Sequence, residues 1–376
     1  MKITVQRDQF AKKLQGVINI SSASGHIPIL REVLFEVEED RMRIIGSNQE
    51  IEITVTVPCQ VEGDIFNFIC DPELIFTPSS SLKSEELFIE VSKDEVLVYS
   101  SRTKNQYSIP INYTLDSFPR MPVNETNPLF KLHGLTLSTV LRKQSSIVNK
   151  NDLRPGFTGV TCMKTKERVN LYSGTPNLML KSKMNIEVVS EEELNFIIPK
   201  DIDRVIPIFE ASPMTEVQVD SECKNMKITD GSSTIVARLV DAAVITFESI
   251  FSAIEKDIFI SFIKADFLSA VSRLYKFSNE ENILIFDMTQ KEDIVVKANN
   301  SSFRRKAEEV ISFEDKHEAI NFVCGMTYQN LNTIIRNIES ENLIFSQKSE
   351  RDNIFFIDQS NPEVESTWGS GPIKTK

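Results

Sequence analysis

The chain has 376 residues, 41% of them apolar and 26% charged, with 42 basic against 54 acidic side chains and a formal net charge of −12. That length exceeds what one hydrophobic core usually serves, and the composition is that of a globular protein, well away from the disordered class. No apolar run approaches the roughly 18 to 20 residues of a membrane span, the N-terminal MKITVQRDQF has no signal-peptide core, and the acidic balance excludes a protein that coats nucleic acid with its whole surface. A cytoplasmic protein is expected, with any nucleic-acid contact confined to a local basic face. The five cysteines, Cys59, Cys70, Cys162, Cys223 and Cys324, are scattered singly, which predicts reduced thiols.

Taken in order, the chain opens with a strand at Lys2–Val5 and a helix that begins after Asp8 and carries Phe10, Leu14, Val17 and Ile18 at helical spacing. Period-two alternation then predicts strands at Val33–Val37, Met42–Gly46 and Glu50–Val57. Asn67-Phe68-Ile69 follows, then a weaker helix over Pro72–Leu82 and strands at Glu86–Val91, Glu95–Tyr99 and Gln106–Ile111. Pro119, Pro122 and Asn124 mark a linker.

The same order then recurs. A helix with Leu137, Leu141 and Ile147 precedes strands at Gly159–Met163 and Val169–Tyr172, and Asn195-Phe196-Ile197 precedes a helix predicted over Pro199–Glu210 and strands at Thr215–Val219, Met226–Thr229 and Thr234–Val240. A third round begins at Asp257–Ile260, with a helix from Ala265 to Leu274, strands at Ile283–Met288 and Asp293–Ala298, Asn321-Phe322-Val323, and a helix carrying Tyr328, Leu331, Ile334, Ile335 and Ile338. Strands at Asn342–Ser346 and Asn353–Asp358 close it. The three Asn-Phe tripeptides stand 128 (195 − 67) and 126 (321 − 195) positions apart, so one domain-sized unit is written three times. Each unit reads as a doubled βαβββ. The expected fold is α+β, with domains at 1–123, 124–253 and 254–376 and helices covering one face of antiparallel sheets.

Catalytic signals are missing. His26, His133 and His317 are isolated, with no metal-ligand spacing, and there is neither a nucleophile elbow nor a phosphate-cradling glycine loop. The acidic run Glu191-Glu192-Glu193 reads as a solvated turn. No metal, cofactor or catalytic residue is assigned. The cations are more informative: Lys12 and Lys13 on the first helix, Arg142 and Lys143 on its counterpart, Arg273 on the third, and Lys200 and Arg204 on a second-round helix. Recurrence at equivalent positions predicts a basic surface that meets a phosphate backbone without reading sequence.

Met1-Lys2-Ile3-Thr4-Val5 with Arg7, Pro28-Ile29-Leu30, Leu239-Val240-Asp241, Phe277-Ser278-Asn279-Glu280, and Ala298-Asn299-Asn300 followed by Ala307-Glu308-Glu309 together give a resemblance. Over essentially its full length the chain resembles the bacterial DNA polymerase III beta subunit, the sliding clamp. The resemblance implies a non-catalytic processivity factor: a head-to-tail homodimeric ring around double-stranded DNA, with helices lining the hole and sheets outside. It implies DNA contacts at the cations above together with Lys150 and Arg154. The subunit contact it implies joins a strand bearing Tyr107 and Ile109 to a helix end at Tyr275 and Phe277. It further implies short peptides of the replicative polymerase and clamp loader in a pocket of Phe157, Gly174, Thr175, Leu178, Ile245, Ile250, Pro372 and Ile373. Two stretches of that pocket, Leu171–Leu178 and Asp241–Ile245, depart from the family pattern, and so does the ending Gly371–Lys376. The alternative reading is a clamp-like scaffold that binds replication or repair proteins without loading on DNA.

Overall fold

The computed structural model describes residues 1–21, 27–102, 104–122, 125–245, 247–254 and 257–373. In the first round β1 (Lys2–Gln6) leads into α1 (Arg7–Ser21), followed by β2 (Val33–Val37), β3 (Arg41–Ser47), β4 (Ile51–Glu62) and β5 (Phe68–Cys70). Then come α2 (Pro72–Ser81), β6 (Glu86–Val91), β7 (Glu95–Tyr99) and β8 (Gln106–Pro110). The second round runs β9 (Thr126–Leu132), α3 (Gly134–Ser145), β10 (Gly159–Lys164), β11 (Val169–Thr175), β12 (Leu178–Met184), a short β13 (Glu187–Val188), β14 (Leu194–Pro199), β15 (Thr215–Asp220), β16 (Asn225–Thr229) and β17 (Ser233–Arg238). After a one-turn α4 (Glu248–Phe251) the third round holds β18 (Ile260–Ile263), α5 (Lys264–Leu274), β19 (Ile283–Asp287), β20 (Asp293–Asn300), β21 (Arg305–Ser312) and a short β22 (Asp315–Lys316). It ends with β23 (Val323–Thr327), α6 (Tyr328–Asn337), β24 (Asn342–Ser346), β25 (Ile354–Asn361) and β26 (Val364–Ser370).

Each Asn-Phe tripeptide sits at the strand that leads into the second helix of its round. In the first, the Asn67 side chain accepts the Val37 N–H at 3.0 Å and Phe68 stacks on Phe35 with ring centroids 4.6 Å apart. Asp71 then caps α2 by accepting the N–H groups of Glu73 and Leu74, and Thr327 caps α6 through the Asn330 N–H. The helix expected over Pro199–Glu210 is not one α-helix. It forms two 3-10 turns, Lys200–Arg204 and Ile206–Phe209. Pro207 lacks the N–H that an α-ladder needs there, so the apolar spacing is met by tighter turns.

Among the described residues the pairings with a defined register are antiparallel, and the pairing crosses the sequence repeats. β17 lies on β4 with Thr234 opposite Thr54 and Val236 opposite Glu52, which fuses first-round and second-round strands into one 13-stranded sheet. β12 lies on β26 with Lys181 opposite Thr367, which fuses second-round and third-round strands into a 9-stranded sheet; β19, β20, β21 and β23 form a separate sheet of four. Two compact units result: Met1–Arg142 with Glu187–Ser190 and Ile198–Asp241, and Lys143–Ile186 with Glu191–Ile197 and Ala242–Lys376.

In the first unit α1 drives Phe10, Leu14, Val17 and Ile18 onto the sheet beside Ile3, Ile44 and Ile53, all buried. In the second the core is aromatic: Phe262 to Phe267 at 5.0 Å, Phe267 stacked on Phe286 at 6.0 Å, Phe345 against Phe356 at 5.5 Å, and a fully buried Trp368. Burying rings of this size supplies most of the apolar area that holds such a core together. All five cysteines are free thiols, four of them buried.

Candidate functional site

The predicted cations fall into two groups. In the first unit Lys12 is exposed on α1, while Lys13 is half-buried and donates to Ser232 Oγ at 3.2 Å and Ser233 Oγ at 2.6 Å. Burial pulls the Lys13 ammonium below its ordinary range and the nearby Asp230 carboxylate opposes that. Lys13 thus ties α1 to the turn before β17. Arg142 is 59% exposed with Glu210 at 3.4 Å, and Arg204 is 49% exposed with Asp201 at 3.8 Å. The Arg204 carbonyl accepts the Asn19 side-chain amide at 3.2 Å, and Gly16 leaves room for Ile208, so the turns bearing Lys200 and Arg204 lie along α1.

In the second unit Lys143 departs from the expectation. It is 9% exposed, and its ammonium lies 3.2 Å from Asp358, which is 1% exposed, and 3.5 Å from Glu339. Neighbouring helical residues point about 100° apart, so α3 cannot present Arg142 and Lys143 together. Lys143 is an internal ion-pair partner. Lys150 is exposed in the turn after α3. Arg154 lies across the Phe157 ring at 4.0 Å and is held in a fork by Asp152, at 3.0 Å from each guanidinium nitrogen involved. Arg273, 63% exposed, makes a similar fork with Glu309 on β21 at 2.8 and 2.5 Å.

The apolar residues sort by strand alternation. Phe157, Ile245 and Ile250 share one cluster with Tyr172, Met179, Phe247, Phe251 and Phe355 on one face of the β11–β12 ladder. Phe247 approaches Phe157 at 5.9 Å and covers Gly174, where a Cβ would meet the Phe247 ring tip at 3.2 Å and the Leu178 carbonyl at 2.9 Å. Glu248 accepts from the Tyr172 hydroxyl and from Lys181 Nζ at 2.8 Å, which fastens α4 to the sheet. Thr175 accepts the Leu178 N–H at 3.2 Å and so shapes the hairpin, whose Asn177 carbonyl is pinned by Asn330 and Ser370. Leu178 points the other way, into the main core of the unit, and the Ile373 N–H donates to the Gly325 carbonyl at 3.0 Å beside Pro372. Neither belongs to the aromatic cluster. The Phe247-x-x-x-Phe251 spacing was the available signal for two of the four rings that sequence reading missed, Tyr172 and Phe355 being the others.

Tyr107 is 36% exposed on β8, which ends the 13-stranded sheet. Ile109 shares its face but is 2% exposed, so it belongs to the core and is not available as a contact. Tyr275, stacked on Tyr328 at 4.1 Å, and Phe277 are exposed at the end of α5, and β21 ends its own sheet with Val310 65% exposed. Among the described residues no group of three or more His, Cys, Asp or Glu is placed to hold a metal ion, and no helix is long and apolar enough to cross a membrane.

Residues 1–122 match the family model for the DNA polymerase III beta subunit, N-terminal domain. The beta sliding clamp of Bacillus subtilis is 22% identical over 348 residues, 87% of this chain and 88% of that protein. That of Staphylococcus epidermidis is 23% identical over 231 residues, and the match spans 56% of this chain and 60% of that relative's length. Among solved structures, the Pseudomonas aeruginosa clamp bound to griselimycin superposes with a TM-score of 0.88 and the B. subtilis clamp with 0.83, each at 17% identity over 100% of both chains. Residues 1–122 thus match the model of the DNA polymerase III beta subunit family, and the chain as a whole has the fold of the solved sliding clamps.

Proposed function

We propose that two copies of the chain close into a ring around duplex DNA and tether the replicative polymerase, as a cytoplasmic processivity factor that performs no chemistry itself. The observation that carries this reading is the end-to-end match of a thrice-written βα order to known clamps. The three rounds act as domains 1–123, 124–253 and 254–376. Lys12, Arg142, Lys150, Arg154, Lys200, Arg204 and Arg273 supply the cations that meet phosphates, each an exposed or partly exposed side chain, so contact is sequence-blind and salt-sensitive. The polymerase and the clamp loader dock short peptides against the aromatic cluster at Phe157, Ile245 and Ile250.

The ring closes by pairing edges. β8 and β21 each end a sheet, and a bare edge is an open template unless another strand covers it. β8 of one copy pairs with β21 of the other, bringing Tyr107 to Val310, Tyr275 and Phe277, a heterologous contact that closes after two copies. Native mass spectrometry is expected to give a dimer, and the protein, once loaded, is expected to be retained on closed circular DNA and lost on linearisation. A persistent monomer that never links to a circle sinks the reading. Tyr107→Asp with Val310→Asp is expected to weaken the dimer by about tenfold or more, read by sedimentation equilibrium.

A further inference from the structure

On the face of the β11–β12–β26 ladder that carries α4 lies a cavity of about 240 Å³, within the second unit. The register builds it: Asn170 stands opposite Lys183, Lys181 opposite Thr367 and Lys183 opposite Glu365, while Arg168 enters from the start of β11. Phe251 and Ile254 form an apolar wall. Its charges are unequally used. Lys181 is neutralised by Glu248 at 2.9 and 2.8 Å, and Glu365 accepts the Gln359 amide at 3.1 Å, whereas Arg168 and Lys183 make no ion pair among the described residues. Three cations against two carboxylates leave one positive charge, in a protein whose net charge is −12. The floor has a second open valence, for the Asn170 Oδ1 is buried and accepts nothing. A buried acceptor without a donor costs about 1–3 kcal/mol, so a ligand N–H is favoured there.

We infer that this cavity binds an acidic side chain carried on an extended peptide of a partner protein. The carboxylate lies between Arg168 and Lys183, its methylenes lie on Phe251 and Ile254, and a peptide N–H beside it donates to Asn170 Oδ1. One net positive charge is matched by a single carboxylate and exceeded by a phosphate dianion. The cavity adjoins the Phe157–Phe247 surface through Phe251 and Ile254, so the inference extends the proposed peptide surface, and it does not depend on ring closure or DNA.

The test is selection of a random peptide library on the full-length chain and on Arg168→Gln/Lys183→Gln, with matched thermal melts confirming that both are folded. Selected peptides are expected to share one acidic position. Changing it from Glu to Gln is expected to weaken binding about tenfold to the unaltered chain and less than about twofold to the variant, a double-mutant cycle on the contact. The inference is overturned if no binder emerges, if no common acid appears, or if the Glu-to-Gln loss is equal on both proteins, the result for peptides held by the aromatic cluster alone. Displacement of the peptide by millimolar inorganic phosphate also overturns it, by making the cavity a simple anion site.

Discussion

Lys143→Met is expected to cost the chain about 3 kcal/mol of stability, because it leaves the Asp358 carboxylate charged and buried without its cation. Asp358 is 1% exposed and keeps, among the described residues, the Ser360 hydroxyl at 2.7 Å, the Ser360 N–H at 3.2 Å and the Glu339 N–H at 3.0 Å. Burial pushes that carboxyl up, but these hydrogen bonds and the Lys143 charge together hold it below the ordinary range. A carboxyl lowered on folding contributes stability above its unfolded pKa and loses it as pH falls through the folded value. The deficit of the variant should therefore narrow in acid, as pH falls below the ordinary carboxylate range and through the lowered folded value. Adding Asp358→Asn should restore part of the loss at neutral pH. Urea unfolding at pH 7 and pH 3 measures both effects, and a deficit under about 1 kcal/mol at pH 7 contradicts the buried pair.

Glu32→Gln should act in the opposite direction. Glu32 is 8% exposed between the turn Pro28–Arg31 and β2, with one carboxyl oxygen buried and unpartnered. Burial, and secondly the Asp71 charge, push it up to about 7. A carboxyl raised on folding contributes stability that is complete below its unfolded pKa, near 4.5, and lost as pH rises through about 7. The full shift corresponds to about 3 kcal/mol, and solvent screening reduces it to about 2 kcal/mol. The variant is expected to be about 2 kcal/mol more stable than the unaltered chain at pH 8 and equal to it at pH 4. Parallel pH–stability curves for the two proteins would show that Glu32 is solvated.

Residue patterning revealed the architecture better than the sites. The thrice-repeated Asn-Phe strand and the helical spacing of Phe10, Leu14 and Val17 each report one local period, which is visible in a single sequence. What the linear chain hides is facing. Arg142 and Lys143 read as twin cations, yet one turns outward and the other to Asp358. Leu178 and Ile250 read as one pocket, yet strand alternation sends Leu178 to the opposite core. The cavity at Arg168, Lys181 and Lys183 exists only through the register of three strands, one of them nearly 200 positions downstream of the others (Thr367 against Lys181, 367 − 181 = 186). No local period carries that.

The seam at β4 and β17 bears on how the protein can be taken apart. The sequence invites a cut near residue 122, where the family model ends, but strand Ile51–Val57 would then lose the partner that covers Ile53 and Val55 along its length. Such a fragment would carry an adhesive, apolar border that the intact chain never shows to solvent. Cooperative melting should therefore follow the hydrogen-bonded sheets and not the repeats, so that the middle round has no separate transition of its own.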